Sequence, residues 1–369
     1  MSAPIAVGVV GTGVISADYL RTLTESDEVT VVAVGDLDVD RARAVAEAFG
    51  IPRAGTAASV IEDPRLEIVV NLTPPAAHAE VTLAAIAHGK HVWSEKPIAL
   101  SEDDADAIVA AAGAAGVLVG VAPDTLLGGA FRTAAGALAR GEFGTPFTAQ
   151  AAFQYVGPDW WHPNPDFLFA RGAGPVMDMG PHYVTALARV FGPAVDVVAA
   201  GQRPQAVRTV CTGPRAGEKF PVEVDTTVSA IVRYRSGAHA NLSFSFDSPL
   251  RRFGILEVTT TEATVTLPDP NRFDGVTTVL RAGEQDATEL PSPTPAESRG
   301  LGVLSIVRAL RDGTPLAAST ELARHVLETL LAIEESARTG SRVELRTSFT
   351  TPTSVPRPTP GAAHAREGV

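Results

Sequence analysis

The sequence predicts an α/β protein: an N-terminal doubly wound parallel sheet, then an α+β domain with a large, mostly antiparallel open sheet. Three observations predict it. Short apolar runs alternate with helical stretches of about ten residues as far as Val121, as in a parallel sheet with right-handed crossovers. A Gly-x-Gly turn directly follows the first of those runs. Beyond Pro146 the alternation yields to period-two runs, the mark of half-buried strands. At 369 residues the chain can hold two domains. We draw them at 1–122 and 123–349, with a flexible tail at 350–369 that is rich in Pro, Thr and Ala.

Ile5-Ala6-Val7-Gly8-Val9-Val10 is nearly continuously apolar, which suits a strand buried on both faces. It feeds Gly11-Thr12-Gly13-Val14-Ile15-Ser16 and a helix through Leu23. In such a turn the first glycine permits the bend and the second lets the backbone approach a pyrophosphate at a helix N-terminus. The third position, usually Gly or Ala, is Ser16. Gly11, Gly13, Val14 and Ile15 are therefore candidate cofactor residues. The second strand, Thr30–Val34, ends in Gly35-Asp36, 20 residues beyond Ser16. A carboxylate at that spacing accepts hydrogen bonds from an adenosine ribose and repels a 2′-phosphate. Leu37 follows where an arginine would welcome that phosphate, so NAD is expected over NADP. Arg41 and Arg43 keep NADP open. Taken singly, Asp36 also fits a turn or a helix cap.

Residues 40–49 read as a helix, Ile68–Leu72 as a strand entering Thr73-Pro74-Pro75, and 77–88 as a helix. His91–Trp93 is a strand. Ser101 followed by Glu102, Asp103 and Asp104 makes an N-cap with an acidic first turn, and 117–121 closes the set. Parallel sheets bind ligands beyond the carboxyl ends of their strands. Gly11, Asp36, Thr73 and Lys96 each lie near such an end. Lys96 sits in Trp93-Ser94-Glu95-Lys96-Pro97, where the proline biases the lysine towards extended backbone. By itself this stretch also reads as an ordinary strand-to-helix loop.

The Gly-rich turn, Asp36, Asn71-Leu-Thr-Pro-Pro…His78 and Gly89-Lys-His-Val-Trp-Ser-Glu-Lys-Pro97 resemble the glucose–fructose oxidoreductase / inositol dehydrogenase family (Gfo/Idh/MocA). The resemblance covers nearly the whole chain. It implies a Rossmann-type first domain, with Thr73, Pro74 and His78 along the nicotinamide end of the cofactor and Glu95 in the same set. It implies that Lys96 contacts a substrate hydroxyl and the nicotinamide ribose. From the residues alone, His78 reads as a helix-start or core histidine. Ala76 and Ala77 stand where relatives often carry an asparagine and an aliphatic residue.

In the second half, Asp124 lies in a glycine-rich linker and reads as a substrate-hydroxyl ligand or a helix cap. Val228, Ala230 and Val232, then Leu242, Phe244 and Phe246, alternate with neighbours of the opposite face around a Ser236-Gly237 turn. Residues 253–267 and 275–281 read as further strands. Asp178 and His182 are four apart and share a helix face. A carboxylate can orient a histidine and stabilise its charged form for proton transfer; the same pair also fits a surface contact. Pro181 has to start that helix or kink it. The family's Gly-rich turn and Asp-x-x-x-His pattern matches these positions, and the resemblance makes Lys96, Asp178 and His182 the catalytic set. Tyr155, Trp160, Trp161 and His162 lie in a proline-stiffened loop that suits a sugar pocket or a hydrophobic plug. Two amphipathic helices, 301–311 and 321–338, complete the domain.

Composition narrows the function. A net charge of −12 argues against nucleic acid. The single cysteine, Cys211, reads as a structural thiol and leaves no thiolate cluster, so no metal is expected. With a mean hydropathy of +0.13 and no run long enough to span a bilayer, a soluble cytoplasmic protein is expected, without a signal peptide or membrane contact. The expected activity is NAD-dependent oxidation or reduction at a secondary alcohol of a sugar, cyclitol or related polyol. Rivals are an NAD-dependent redox glycosidase or lyase and a non-catalytic sugar or nucleotide sensor. The uncovered face of the second sheet is the expected interface of a homodimer or homotetramer, as the resemblance also implies; its serines equally permit a solvated face.

Overall fold

The computed structural model describes residues 3–292 and 298–350. The expected tail, apart from Thr350, lies outside the described residues. The first sheet is built from β1 (Ile5–Val10), β2 (Val29–Gly35), β3 (Arg53–Gly55), β4 (Ile68–Asn71), β5 (His91–Ser94) and β6 (Val119–Val121). Its order is β3-β2-β1-β4-β5-β6, parallel throughout. The crossovers carry α1 (Ser16–Glu25), α2 (Val39–Phe49), α3 (Ala57–Ile61), α4 (His78–Ala87) and α5 (Glu102–Ala115). Ser101 caps α5 by accepting from the Asp104 amide. The sequence reading missed β3 and α3, which at three and five residues are too short to show a period.

The second unit opens with α6 (Gly129–Ala139), β7 (Pro146–Gln154) and α7 (Gly174–Phe191). There follow β8 (Ala194–Gln202), β9 (Val207–Thr209), β10 (Lys219–Pro221), β11 (Thr227–Tyr234), β12 (His239–Ser245), β13 (Arg252–Thr260), β14 (Ala263–Thr266), β15 (Thr277–Arg281) and β16 (Thr288–Leu290). The described chain finishes with α8 (Leu301–Asp312), α9 (Thr320–Thr339) and β17 (Val343–Glu344). Nine strands form one sheet, ordered β16-β15-β14-β13-β7-β12-β11-β8-β17. Only β7 and β12 pair in parallel; β9 and β10 form a separate ribbon. Burial alternates along β11 as its period implies, with Val228, Ala230 and Val232 inward beneath α7 and α9.

Two expectations change here. Residues 253–267 are a hairpin, not one strand, because the Thr260 hydroxyl accepts from the Glu262 and Ala263 amides and turns the chain. Pro181 does not start α7 but lies within it, two turns past its first residue, which removes the first of the two placements the sequence left open. The position suits a buried helix whose neighbours fill its sides.

One late element belongs to the first core. Val303, Ile306 and Val307 of α8 pack with Val7, Leu20, Leu23 and Trp93. Gly302 makes the approach possible: a Cβ there would lie 2.1 Å from the Trp93 ring. Among the described residues no helix is long and apolar enough to cross a membrane, and no cluster of His, Cys, Asp or Glu could hold a metal ion.

Candidate active site

The site begins where β5 ends. Trp93 is fully buried, and its indole N–H donates to the Tyr19 hydroxyl at 3.1 Å; that hydroxyl donates to Glu95 Oε1 at 2.8 Å. Glu95 Oε2 accepts from the Lys96 amide at 3.1 Å. The peptide joining Lys96 to Pro97 is cis. From this loop Lys96 Nζ crosses to α7 and donates to the Asp178 carbonyl at 2.6 Å, with Asp178 Oδ1 at 3.4 Å. Residues 82 apart in sequence thus meet.

His182 lies one turn beyond Asp178 and is 2% exposed. No hydrogen bond joins its ring to Asp178, whose partner is Lys96; the Pro270 carbonyl favours the charged form of the ring, and Nδ1 is buried without a partner. The expected Asp178–His182 pairing is replaced by Asp178–Lys96. Burial, then the positive charges of Lys96 and Arg299, hold the imidazole well below its ordinary pKa. A neutral imidazole keeps one ring nitrogen as a proton acceptor.

Across the sheet, Gly11 adopts φ +96°, and a Cβ there would sit 2.6 Å from the Leu72 carbonyl group. Gly13 faces open space, and Ser16 closes the turn by donating to the Gly13 carbonyl at 2.7 Å. Ile15 precedes α1 as its cap residue. Asp36 Oδ2 accepts from the Thr12 amide at 2.7 Å and the Thr12 hydroxyl at 2.8 Å. Oδ1 accepts from the Asp38 amide at 3.0 Å and the Arg41 guanidinium at 2.5 Å. Burial would raise this carboxyl; the hydrogen bonds from Arg41, Asp38 and Thr12 outweigh it and keep Asp36 ionised far into acid. Leu37, which follows it, and Val14 in the glycine turn are almost fully exposed. An open glycine turn at a helix N-terminus and an ionised carboxylate at the end of β2 fit a dinucleotide.

Thr73 donates from its hydroxyl to Asn71 Oδ1 at 2.6 Å, and Asn71 Nδ2 donates to the His78 carbonyl at 3.1 Å. Pro74 is exposed at the loop tip. His78 is 1% exposed and faces inward. Its Nδ1 lies 2.6 Å from the Pro97 carbonyl and Nε2 2.8 Å from the Thr73 carbonyl. The ring therefore stands behind the loops that carry Thr73 and Lys96. Burial lowers its pKa.

Asp124 is a cap for a helix far along the chain. It is fully buried, and Oδ2 accepts from the Gly300 amide at 2.7 Å in front of α8, with Arg299 Nη1 3.6 Å from Oδ1. Burial pushes this carboxyl up to about 7, against Arg299 and the Gly300 and Gly302 amides.

On the other side of Asp178, Tyr155 is buried and accepts from the Trp161 indole at 3.4 Å. Asp178 and Asp159 both act on the Tyr155 hydroxyl, which burial raises above its ordinary value. Trp160 and Trp161 are each 60% exposed, and His162 packs edge-on between Trp161 and Phe167. Sequence reasoning missed what holds this loop. Arg208, 5% exposed, donates to Asp159, Asp247 and the Val156 and Phe246 carbonyls, at 2.6–2.9 Å. Nothing in residues 206–212 signals that role. Cys211, next to this cluster, is exposed.

Comparison with known proteins decides the family. Residues 5–122 match the model of an oxidoreductase family with an NAD-binding Rossmann fold, and residues 131–266 match the GFO/IDH/MocA C-terminal domain. The chain belongs to the GFO/IDH/MocA oxidoreductases. Like other members named dehydrogenases, it is an oxidoreductase acting on CH–OH groups. It is 29% identical to a D-xylose 1-dehydrogenase (NADP(+)) 2 from Haloferax volcanii over 92% of this chain and 99% of that one. It is 28% identical to a trans-1,2-dihydrobenzene-1,2-diol dehydrogenase from Bos taurus over 83% of this chain and 87% of that one. An NAD binding oxidoreductase from Klebsiella pneumoniae superposes with a TM-score of 0.82 at 25% identity, covering 94% of this chain and all of that one.

The Asp124 geometry makes a testable statement about this GFO/IDH/MocA chain. Free in the unfolded chain, the carboxyl titrates near 3.8; folded, it titrates at about 7. Between those values the folded chain holds a proton the unfolded chain has lost, so stability falls as pH rises across that window. Asp124→Asn keeps an acceptor for Gly300 and cannot titrate. Urea unfolding from pH 4 to 8 is expected to show a smaller fall for the variant; parallel curves contradict the assignment.

Proposed function

We propose that this oxidoreductase transfers a hydride between NAD and a secondary alcohol or ketone of a sugar, cyclitol or related polyol. The observation that carries the proposal is the bond from Lys96 Nζ to Asp178. It brings a lysine at the carboxyl end of the parallel sheet to the helix that bears His182. An ammonium has three donors. Two are directed at the Asp178 carbonyl and carboxylate, which leaves one for a substrate oxygen. In oxidation, the neutral His182 imidazole takes the hydroxyl proton, and Lys96 donates to the same oxygen and offsets the charge that develops there. When bound, NAD would supply the acceptor for the hydride. Asp178 positions Lys96. Tyr155, Trp160, Trp161 and His162 form the polyol-facing wall, with Arg208 holding their loop.

Gly11, Gly13, Val14 and Ile15 would take the pyrophosphate, Asp36 the adenosine ribose, and Thr73 and Pro74 the nicotinamide end. Ionised Asp36 favours NAD over NADP. The relatives named for a sugar and for a cyclic vicinal diol support a polyol substrate. The uncovered face of the large sheet aligns Val198, Ile231, Asn241 and Gln150 across four strands. Val198 and Ile231 are 40% and 48% exposed, and we assign this face to a second copy of the chain.

A polyol panel read as NADH absorbance is expected to find a substrate. With it, Lys96→Ala and His182→Ala should each lower turnover by at least roughly 10²-fold; wild-type turnover in both ends the assignment. Sedimentation should give a dimer or larger for the native chain and a smaller species for Ile231→Arg. A monomeric native chain contradicts the interface.

A further inference from the structure

We infer that Arg299 is a positioning residue for His182, held in a clasp that also fixes the loop facing that histidine. The inference rests on the reading of His182 as the base and extends it to the residues that hold the base. The loop joins β14 to β15 and presents the Pro270 carbonyl, which favours the charged form of the His182 ring. Two side chains grip it. The Thr125 hydroxyl donates to the Pro270 carbonyl at 2.6 Å, and Arg299 Nη2 donates to Asn271 Oδ1 at 3.2 Å. Thr125 is buried, and the Arg299 side chain is 16% exposed. The two reach the same loop because their chain neighbours are joined: Asp124 Oδ2 accepts from the Gly300 amide at 2.7 Å. Bonds spanning 145, 28 and 176 residues thus converge there. Asp269 closes the loop from within by accepting from the Asn271 amide at 2.9 Å.

The clasp also places a charge. Lys96 from the loop after β5 and Arg299 from the approach to α8 both act on the His182 ring. On α7 itself, the Asp178 carboxylate is turned to Lys96. Glu95 and Asp124 act on Arg299; with Tyr19 and Asp18 they keep the guanidinium charged against the burial that opposes it. Lys96 is engaged by Asp178, whereas Arg299 is a cation held in place by a neutral partner, Asn271. A fixed cation there opposes a resting imidazolium, so the base waits in the form that accepts a proton.

Titration of the histidine ring signals of the full chain by NMR tests this without relying on turnover, His182 being assigned by its loss in His182→Gln. Arg299→Met should move the His182 titration upward by about one pH unit, and Arg299→Lys should leave it near the native position. Arg299→Gln, which keeps a donor for Asn271 without the charge, should behave as Arg299→Met does. With the substrate from the polyol panel, the acid limb of kcat/KM should rise in Arg299→Met and Arg299→Gln alone. Thr125→Val and Asn271→Ala keep the charge and loosen the loop, and each should lower kcat about tenfold with KM little changed. NADH binding by calorimetry, expected to be native in every variant, reports that each is folded. The inference is overturned if Arg299→Met and Arg299→Gln leave ring signal and acid limb where the native chain has them, or if Arg299→Lys moves them equally. Native turnover in both Thr125→Val and Asn271→Ala overturns the clasp. Native turnover of His182→Gln would instead remove the base assignment itself, a result distinct from these.

Discussion

One ammonium group joins the two halves of this molecule at its site. Lys96 extends from the end of β5, and Asp178 receives it on α7 through a main-chain carbonyl and a nearby carboxylate. A carbonyl acceptor is fixed by the helix that carries it, so the lysine tip is located by backbone and not by a mobile side chain. Everything else near the site serves to keep that distance constant. Trp93, Tyr19 and Glu95 form a chain of hydrogen bonds that ends on the Lys96 amide. His78 lies behind the loops of Lys96 and Thr73, between the Pro97 and Thr73 carbonyls, and its neutral ring has one N–H to donate to one of them. Gly302 lets α8 press on Trp93, which closes the first core with residues from the far end of the chain.

The electrostatics follow from the same arrangement. Lys96 and Arg299 lie near a fully buried His182, and both disfavour its charged form. Burial and these two charges all oppose protonation, so the ring rests neutral. The cofactor half relies on the opposite sign. Asp36 is held as an anion at the end of β2 by a dense set of donors.

What the sequence disclosed was local. Gly11, Asp36 and Lys96 could be recognised because each stands directly after a strand, and a strand followed by a particular residue is visible in a one-dimensional string. Asp178 and His182 could be paired by their spacing of four, although the spacing did not reveal that Asp178 turns to Lys96. The large sheet was legible where inward and outward residues differ in polarity, as in β11. It was not legible in β8, whose small residues Ala199, Ala200 and Gly201 give little contrast between faces. Partners far apart stayed hidden for a physical reason. Asp124 and Gly300 are 176 residues apart, and Arg208 reaches Asp159 and Asp247 across two loops. No periodicity or motif encodes such contacts; they follow from packing.

The central claim is that Lys96 and His182, brought together from the two halves, serve one oxygen atom. Turnover of the double variant Lys96→Ala/His182→Ala measures this most directly. Residues that act as a unit are strongly non-additive. The double variant should lose about as much turnover as the worse of the two singles. Losses that multiply would mean that the two residues act independently, and would contradict a single shared site.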